Sequence, residues 1–126
     1  MASPADRRYL ASHEWHKLDG NVVTIGVSQF AVDELTDITY VDFAKKSGTI
    51  KAGESFGEIE SVKATSDLYC GVTGEVVATN QKVADDPSTV NRDPYGDGWL
   101  IKVKVSDTAQ LNKLLAADQY DAKSGH

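Results

Sequence analysis

Short stretches of alternating apolar and polar residues, separated by turn signals, constrain the fold of this chain more than any other feature. Residues 99–105 place Trp, Ile, Val and Val at every second position, and residues 23–27 repeat the pattern with Val, Ile and Val. Such alternation puts one face of a β-strand in a core and the other in solvent. Asp19-Gly20-Asn21 is a strong turn signal just before residues 23–27. Many short strands with regular turns predict a mainly β sandwich or barrel with antiparallel sheets.

A few short helices are expected beside the strands. Ser28 is a candidate N-cap for a helix over the residues that follow it. Asp86 is expected to cap one helical turn that begins at Pro87. Asp107 is expected to cap a C-terminal helix, whose apolar stripe would consist of Leu111, Leu114 and Leu115. The ends of the chain, residues 1–7 and 122–126, are expected to be frayed.

Size and composition limit the possible functions. A chain of 126 residues fits one domain, 1–126. Nineteen acidic and thirteen basic residues give a net charge of −6, which disfavours nucleic acid and anionic membranes, since both are bound through basic patches. No apolar run approaches the ~20 residues of a membrane span, and no long apolar patch suggests a partner, so a monomer is expected. The single cysteine excludes an internal disulfide and a cysteine-based zinc site, and it fits a reducing compartment.

Lys63 is the only basic residue between Lys51 and Lys82, and two strand-like arms, residues 56–61 and 65–69, flank it. At the tip of a tight hairpin, its side chain would extend into water from a fixed base. A lysine that attacks by itself needs a depressed pKa, whereas acidic neighbours keep the amine charged. The pattern therefore favours a carrier arm over a catalytic amine, and it leaves open an ordinary surface lysine. The acidic neighbours are Glu54, Glu58, Glu60, Asp67 and Glu75.

Five blocks of sequence are more specific than the strand pattern. They are Ser12-His13-Glu14-Trp15, residues 57–69 (GEIESVKATSDLY), residues 74–77 (GEVV), Val90-Asn91, and residues 93–102 (DPYGDGWLIK). In this order and spacing the chain resembles the H protein of the glycine cleavage system from about residue 8 to residue 120. There are two departures from the family pattern. Cys70-Gly71 stands where the family usually has serine or alanine and a proline, and Thr89 stands where it usually has leucine.

The resemblance implies a non-catalytic carrier with lipoic acid in amide linkage on Lys63, placed there by lipoate-attaching enzymes. It implies a lipoyl-type barrel-sandwich hybrid of two antiparallel sheets with short helices and a C-terminal helix. Three partners are implied. The pyridoxal-phosphate glycine decarboxylase (P protein) leaves an aminomethyl group on a lipoyl sulfur. The tetrahydrofolate-dependent aminomethyltransferase (T protein) takes the one-carbon unit and frees ammonia, and dihydrolipoyl dehydrogenase (L protein) reoxidises the dithiol. Such a protein is expected to be cytoplasmic in a bacterium and in the mitochondrial matrix in a eukaryote.

By the same resemblance, a surface groove with Ser12, Glu14 and Asp67 in its walls shelters the loaded arm. Water decomposes an N–CH2–S aminal to formaldehyde and ammonia, so excluding water protects it. Because the aminomethyl nitrogen is protonated, Glu14 and Asp67 would bind it through charge-assisted hydrogen bonds. The simpler alternative is that both acids are solvated hairpin charges.

Other candidate residues have simpler interpretations. The strand-like alternation around Trp15 puts His13 and His16 on opposite faces, so no metal site is expected there. Cys70 has no neighbouring histidine and is expected to be a half-buried strand residue, not a nucleophile. An acidic run is either a solvated face or a docking surface for partners with basic rims. That run consists of Asp33, Glu34, Asp37 and Asp42.

Four other functions were weighed against this carrier. Biotin sites typically flank the lysine with methionine, whereas Val62 and Ala64 flank Lys63. Lipoyl domains of 2-oxoacid dehydrogenases are usually shorter and lack the His13-Glu14-Trp15 and Pro94-Tyr95-Gly96 blocks. An enzyme would need a nucleophile, a base and an acid that the sequence does not bring together. A related stand-alone carrier that relays lipoyl groups, or serves another pathway, stays open.

Overall fold

The computed structural model describes residues 3–124. Within that range the chain forms two antiparallel sheets, four short α-helices and one 3₁₀ helix over Thr108–Lys113. The strands are β1 (Arg8–Tyr9), β2 (Glu14–Asp19), β3 (Val22–Val27), β4 (Ile38–Phe43), β5 (Gly48–Ile50), β6 (Ser55–Ser61), β7 (Thr65–Tyr69), β8 (Gly74–Thr79) and β9 (Ile101–Lys104). The helices are α1 (Gln29–Leu35), α2 (Gln81–Asp85), α3 (Ser88–Arg92) and α4 (Ala117–Ser124).

One sheet has six strands in the order β1-β2-β3-β9-β8-β5. The predicted turn at residues 19–21 joins β2 to β3, where Asp19 pairs with Val22 and Gly20 has a φ of +64°. Glycine adopts this left-handed conformation without the cost of a Cβ. The alternating stretch at residues 99–105 supplies β9, which begins at Ile101, so Trp99 precedes the strand and is only half-buried.

The other sheet has three strands in the order β4-β6-β7, and β6 and β7 form the hairpin that carries Lys63. The main core lies between the two sheets, because the buried faces of both contribute to one apolar cluster. The sheets are not closed into a barrel. The predicted fold class, two antiparallel sheets with short helices and a C-terminal helix, is confirmed.

A second, aromatic cluster covers the opposite face of β2. The Trp15 ring lies against β3, where a Cβ at Gly26 would be 2.6 Å from the ring. Trp15 Nε1 donates to the carbonyl of Pro94 at 3.0 Å. Tyr9 and Tyr120 complete this cluster, so helix α4 is docked through an aromatic contact. Consequently Trp15 faces this cluster, whereas Glu14 and His16 face the other side of the same strand, opposite core residues of β3.

The helical predictions need two corrections. Asp107 caps a helix as predicted, but the helix is 3₁₀ and ends at Lys113, because Leu115 leaves it to pair with Tyr9. The C-terminal α-helix is instead α4. Asp86 does not cap the next helix, since it ends α2, and α3 begins after Pro87.

The chain ends meet on one side of the fold. Ser3 Oγ donates to Asp121 of α4 at 2.6 Å. Fraying of residues 1–7 and 122–126 stays a prediction, and residues 1–2 and 125–126 lie outside the described part. Across residues 3–124, no helix combines the length and the apolar character needed to cross a membrane.

Candidate functional site

The β6–β7 hairpin presents Lys63 at a closed, hydrogen-bonded tip. Ser61 N donates to the carbonyl of Ala64 at 2.8 Å, which closes the loop around Val62 and Lys63. The Ser61 hydroxyl accepts from the backbone N–H groups of Lys63 and Ala64 at 3.1 and 3.0 Å. Lys63 is exposed, and its ammonium has no ion pair or side-chain hydrogen bond among the described residues. The side chain therefore leaves a fixed base and is free to be modified.

A contact from outside the hairpin also holds this tip. Val62 N donates to the carbonyl of Asp37, in the loop between α1 and β4, at 3.1 Å. Asn91 on α3 holds that loop on both sides of Asp37: its Oδ1 accepts from Ile38 N at 2.9 Å and its Nδ2 donates to the Thr36 carbonyl at 2.7 Å. Asn91 belongs to one of the five sequence blocks, but the local pattern gives no sign of this role.

The acidic residues near Lys63 in sequence separate in space. Glu58, Glu60 and Asp67 share the three-stranded sheet with Lys63. Glu54 pairs with Lys45 at 3.1 Å, and Glu75 lies on β8 of the other sheet. On the three-stranded sheet, register places three carboxylates in one row, with Glu58 opposite both its neighbours. Asp42, Glu58 and Asp67 together form the acidic row.

A groove of about 110 Å³ runs beside β7 and contains Ser12, Glu14 and Asp67 in its walls. The sequence-predicted groove residues are thus brought together by the structure, although they come from opposite sheets. Its apolar lining is Val27, Ala31, Leu35, Ile59 and Leu68, and its other polar residues are His13, Glu34 and Ser66. A wider cleft of about 540 Å³ lies at Arg7, Arg8 and His16, but none of the predicted site residues lines it.

Glu14 is the most perturbed acid of the groove. It is 1% exposed, and both carboxyl oxygens are bonded: Ser12 Oγ donates to one at 2.5 Å and Tyr69 N donates to the other at 2.8 Å. Burial raises the pKa of Glu14 to about 7, and these two hydrogen bonds partly oppose the rise. The alternative of a solvated hairpin charge is therefore wrong for Glu14. Asp67, in contrast, is exposed, and its carboxyl accepts from Tyr69 Oη at 3.4 Å.

His16 has a role that sequence reasoning missed. Its buried Nε2 accepts from the backbone N–H of Gly71 at 2.9 Å, and its Nδ1 has no hydrogen-bond partner among the described residues. Burial lowers the pKa of His16 to about 4. A Cβ at position 71 would lie 3.0 Å from both His16 Nε2 and Leu114. Glycine at position 71 therefore provides both the N–H group, which proline lacks, and the space for this contact.

The remaining candidate residues are occupied elsewhere. His13 Nδ1 lies 2.6 Å from Tyr120 Oη, so His13 and His16 have separate partners. No cluster of three or more metal-binding side chains occurs within residues 3–124. Cys70 is fully buried just after β7, not half-buried in a strand as predicted, and Cys70 Sγ donates to the Val72 carbonyl. Burial raises the pKa of this thiol to about 11, which disfavours the nucleophilic thiolate.

Comparisons with known proteins all find one family. The family model described as glycine cleavage H-protein matches residues 7–126. A glycine cleavage system H protein from Cyanothece sp. is 48% identical over 120 residues, covering 95% of this chain and 93% of the relative. One from Staphylococcus haemolyticus is 45% identical over 125 residues, covering 99% of each chain. The crystal structure of a glycine cleavage system H protein from Mycobacterium marinum superposes with a TM-score of 0.88 at 38% identity, covering 98% of this chain and 99% of that one.

Proposed function

The chain belongs to the glycine cleavage H-protein family, and from that membership we propose that it carries lipoic acid on Lys63. Proteins of this family are the lipoyl carriers of the glycine cleavage system and are not themselves catalytic. One observation supports the choice of residue: Lys63 is exposed at a hydrogen-bonded hairpin tip, with no partner for its ammonium among residues 3–124, and the same hairpin lines a groove that has the buried carboxyl of Glu14 in its wall. We also propose that residues 1–126 form one carrier domain that acts as a monomer.

The residues around Lys63 fit a lipoyl group. Asp67 on β7 is four positions after Lys63, which corresponds to about 13 Å along an extended chain. The groove beside this strand has apolar walls that suit a hydrocarbon chain and carboxylates that suit a cation. When attached, lipoate supplies a disulfide that accepts the aminomethyl group of glycine and opens to a thiol.

The chain's own residues have three proposed tasks. Lys63 supplies the tether, which replaces diffusion by a high effective concentration at each partner. Ser12, Glu14 and Asp67 bind the protonated amine at the end of the loaded arm. Because the pKa of Glu14 is close to 7, a cation in the groove would hold this carboxyl in its ionised form. The apolar walls of the groove exclude water from that end.

The proposal includes the partners that this chemistry requires. They are a pyridoxal-phosphate glycine decarboxylase, a tetrahydrofolate-dependent aminomethyltransferase, dihydrolipoyl dehydrogenase and the lipoate-attaching enzymes. The relatives described above are bacterial, which supports the bacterial cytoplasm as the proposed location.

Substitution of Lys63 tests the attachment site. We expect Lys63→Arg to fold normally, because an exposed tip contributes little to the core. It should gain no lipoyl group, because an arginine side chain offers no amine of the same kind to acylate. Lys46→Arg is the matched control, since Lys46 is another exposed lysine in a loop. The measurement is intact mass with peptide mapping after expression in cells that attach lipoate, followed by glycine cleavage with the purified partner enzymes.

Two outcomes would contradict the proposal. One is a wild-type protein that stays unmodified at Lys63 while glycine cleavage depends on it. The other is a Lys63→Arg variant that supports glycine cleavage at the rate of Lys46→Arg.

A further inference from the structure

The hydroxyl of Tyr120 contacts His13, which lines the groove, and Ser28, which caps the helix α1 that also lines it. Tyr120 lies on α4, is fully buried, and does not line the groove itself. Its Oη is 2.6 Å from His13 Nδ1 and 2.6 Å from Ser28 Oγ. These two contacts connect the Tyr120 hydroxyl to two elements of the groove. His13 belongs to the segment that holds Ser12 and Glu14, and Ser28 begins helix α1, which contributes the other wall.

The first neighbour, His13, fixes the backbone between Ser12 and Glu14. His13 has a φ of +87°, a left-handed conformation that is uncommon for a residue with a side chain and persists only where its surroundings hold it. Several contacts hold it: His13 N donates to the Leu10 carbonyl at 3.0 Å, and the His13 carbonyl accepts from Ser28 N at 2.9 Å. The His13 ring meets Tyr120 Oη and also packs on the ring of Phe30 on α1, with centroids 4.7 Å apart. The direction in which Ser12 and Glu14 point therefore depends on His13.

The second neighbour controls the facing wall. Ser28 is the N-cap of α1, and its Oγ accepts from Ala31 N at 3.2 Å. Helix α1 contributes Ala31, Glu34 and Leu35 to the groove lining. A shift of Ser28 would move the start of this helix, and with it that wall.

We infer that Tyr120 is a positioning residue: its hydroxyl sets the distance between the Ser12–Glu14 wall and the α1 wall, and thereby keeps the groove closed to water. The inference deepens the proposed function, on which it rests, by adding the C-terminal helix to the residues that protect the loaded arm. Only the hydroxyl is assigned this role. The Tyr120 ring stacks on Tyr9 with centroids 4.6 Å apart, which accounts for the docking of α4.

Tyr9 provides a matched control within the same pair of rings. Its own hydroxyl donates to the Pro4 carbonyl at 2.7 Å and touches neither groove wall. Tyr120→Phe and Tyr9→Phe thus remove the same atom from two stacked rings and keep both rings in place. A purely structural role predicts similar effects of the two substitutions, whereas the positioning role predicts an effect of Tyr120→Phe alone on the groove.

The first experiment uses the unmodified full-length protein and follows the titration of the Glu14 carboxyl by carbon-13 NMR. In Tyr120→Phe we expect the pKa of Glu14 to fall by about one pH unit, because water reaches a carboxyl that was buried. In Tyr9→Phe the pKa should stay at the wild-type value. His13, Glu34 and Asp67 line the same groove, so their titrations are assigned separately. Equal Glu14 titrations in the two variants would overturn the inference.

The second experiment uses the lipoylated protein loaded with the aminomethyl group and no aminomethyltransferase. Release of formaldehyde should be about two- to tenfold faster from Tyr120→Phe than from Tyr9→Phe, the factor that corresponds to one net hydrogen bond. Equal release from the two loaded variants would overturn the positioning role and leave the carrier role intact. Failure of all variants, including wild type, to gain lipoate at Lys63 would instead overturn the proposed function, and the Glu14 titration would still decide the inference.

Discussion

At the scale of single residues, two titratable side chains of β2 join the two sheets. Glu14 and His16 are two residues apart on the inward face, and they accept from the N–H groups of Tyr69 and Gly71, which are also two residues apart. The matched spacing lets β2 bind both the last residue of β7 and the segment that follows it. Both side chains are buried, so each favours its neutral form, but the two pKa values move in opposite directions.

These shifts have opposite effects on stability over overlapping pH ranges. The pKa of Glu14 is raised from 4.5 to about 7, so the folded protein binds more protons than the unfolded chain and its stability falls as the pH rises through that interval. The pKa of His16 is lowered from 6.5 to about 4, so its contribution is present above pH 6.5 and is lost as the pH falls through about 4. Between about pH 4.5 and 6.5 the two effects offset each other.

Glu14→Gln should remove the contribution of Glu14 to the pH dependence of stability and leave that of His16. Glutamine can accept from Tyr69 N and meet Ser12, but it does not titrate. We expect its free energy of unfolding, relative to wild type, to rise between pH 4.5 and 7 by up to roughly 3 kcal/mol, which corresponds to the shift of the Glu14 pKa. Urea unfolding at several pH values measures this difference, with Glu75→Gln, an exposed acid on β8, as the control. Parallel pH profiles for wild type and Glu14→Gln would show that Glu14 is not perturbed.

At the scale of elements, α3 supports a hairpin to which it is not connected. Asn91 bonds to both sides of Asp37, and the carbonyl of Asp37 accepts from Val62 N, next to Lys63. The hairpin is thus held along β6 by β4, and at its tip by the loop that precedes β4. A lipoate-attaching enzyme would bind a tip whose backbone is already ordered. Less conformational entropy is then lost when the two proteins associate.

Removal of the Asn91 amide should loosen this tip without unfolding the protein. In Asn91→Ala we expect the Val62 amide to exchange with solvent about tenfold faster, because the two side-chain hydrogen bonds that hold its acceptor loop are lost. Amide exchange by NMR measures the change, and Asn112→Ala, an exposed asparagine of the 3₁₀ helix, is the control. If the Val62 amide of a folded Asn91→Ala protein exchanges as slowly as in wild type, α3 does not support the hairpin tip.

At the scale of the whole molecule, part of the acidic excess behind the net charge of −6 lies on the sheet of the β6–β7 hairpin. The acidic row faces solvent on the sheet that carries Lys63, and like charges directly opposite each other on a sheet cost stability. The acidic run of residues 33–42 adds Asp33, Glu34 and Asp37 nearby in the chain, all exposed. Its role as a docking surface for partners with basic rims stays a prediction.

The acidic row shares Asp42 with that run, and neutralising the middle of the row tests whether the row itself attracts such partners. We expect Glu58→Gln to be more stable than wild type by about 0.5 kcal/mol at low salt, because it removes two like-charge contacts. It should also be loaded severalfold more slowly by the proposed glycine decarboxylase at low ionic strength, with the difference vanishing at high salt. Glu75→Gln makes the same charge change on the other sheet and should load normally. If both variants are loaded equally fast at low salt, the acidic row is a solvated face and not a docking surface.

Local pattern was sufficient for β3, for most of β9, for the turn at Gly20, for the Ser28 cap and for the hairpin that presents Lys63, because alternation and capping act over a few residues. It gave no sign of the short strands β1 and β5. It failed for the C-terminal helix, where a backbone contact between Leu115 and Tyr9 ends the predicted helix early. The groove depended on the tertiary structure. The contacts of Glu14 with Tyr69, His16 with Gly71, Asn91 with Ile38 and His13 with Tyr120 join positions 55, 55, 53 and 107 residues apart. Periodicity carries no signal over such separations, because only the packing of the two sheets and α4 brings these residues within hydrogen-bond distance.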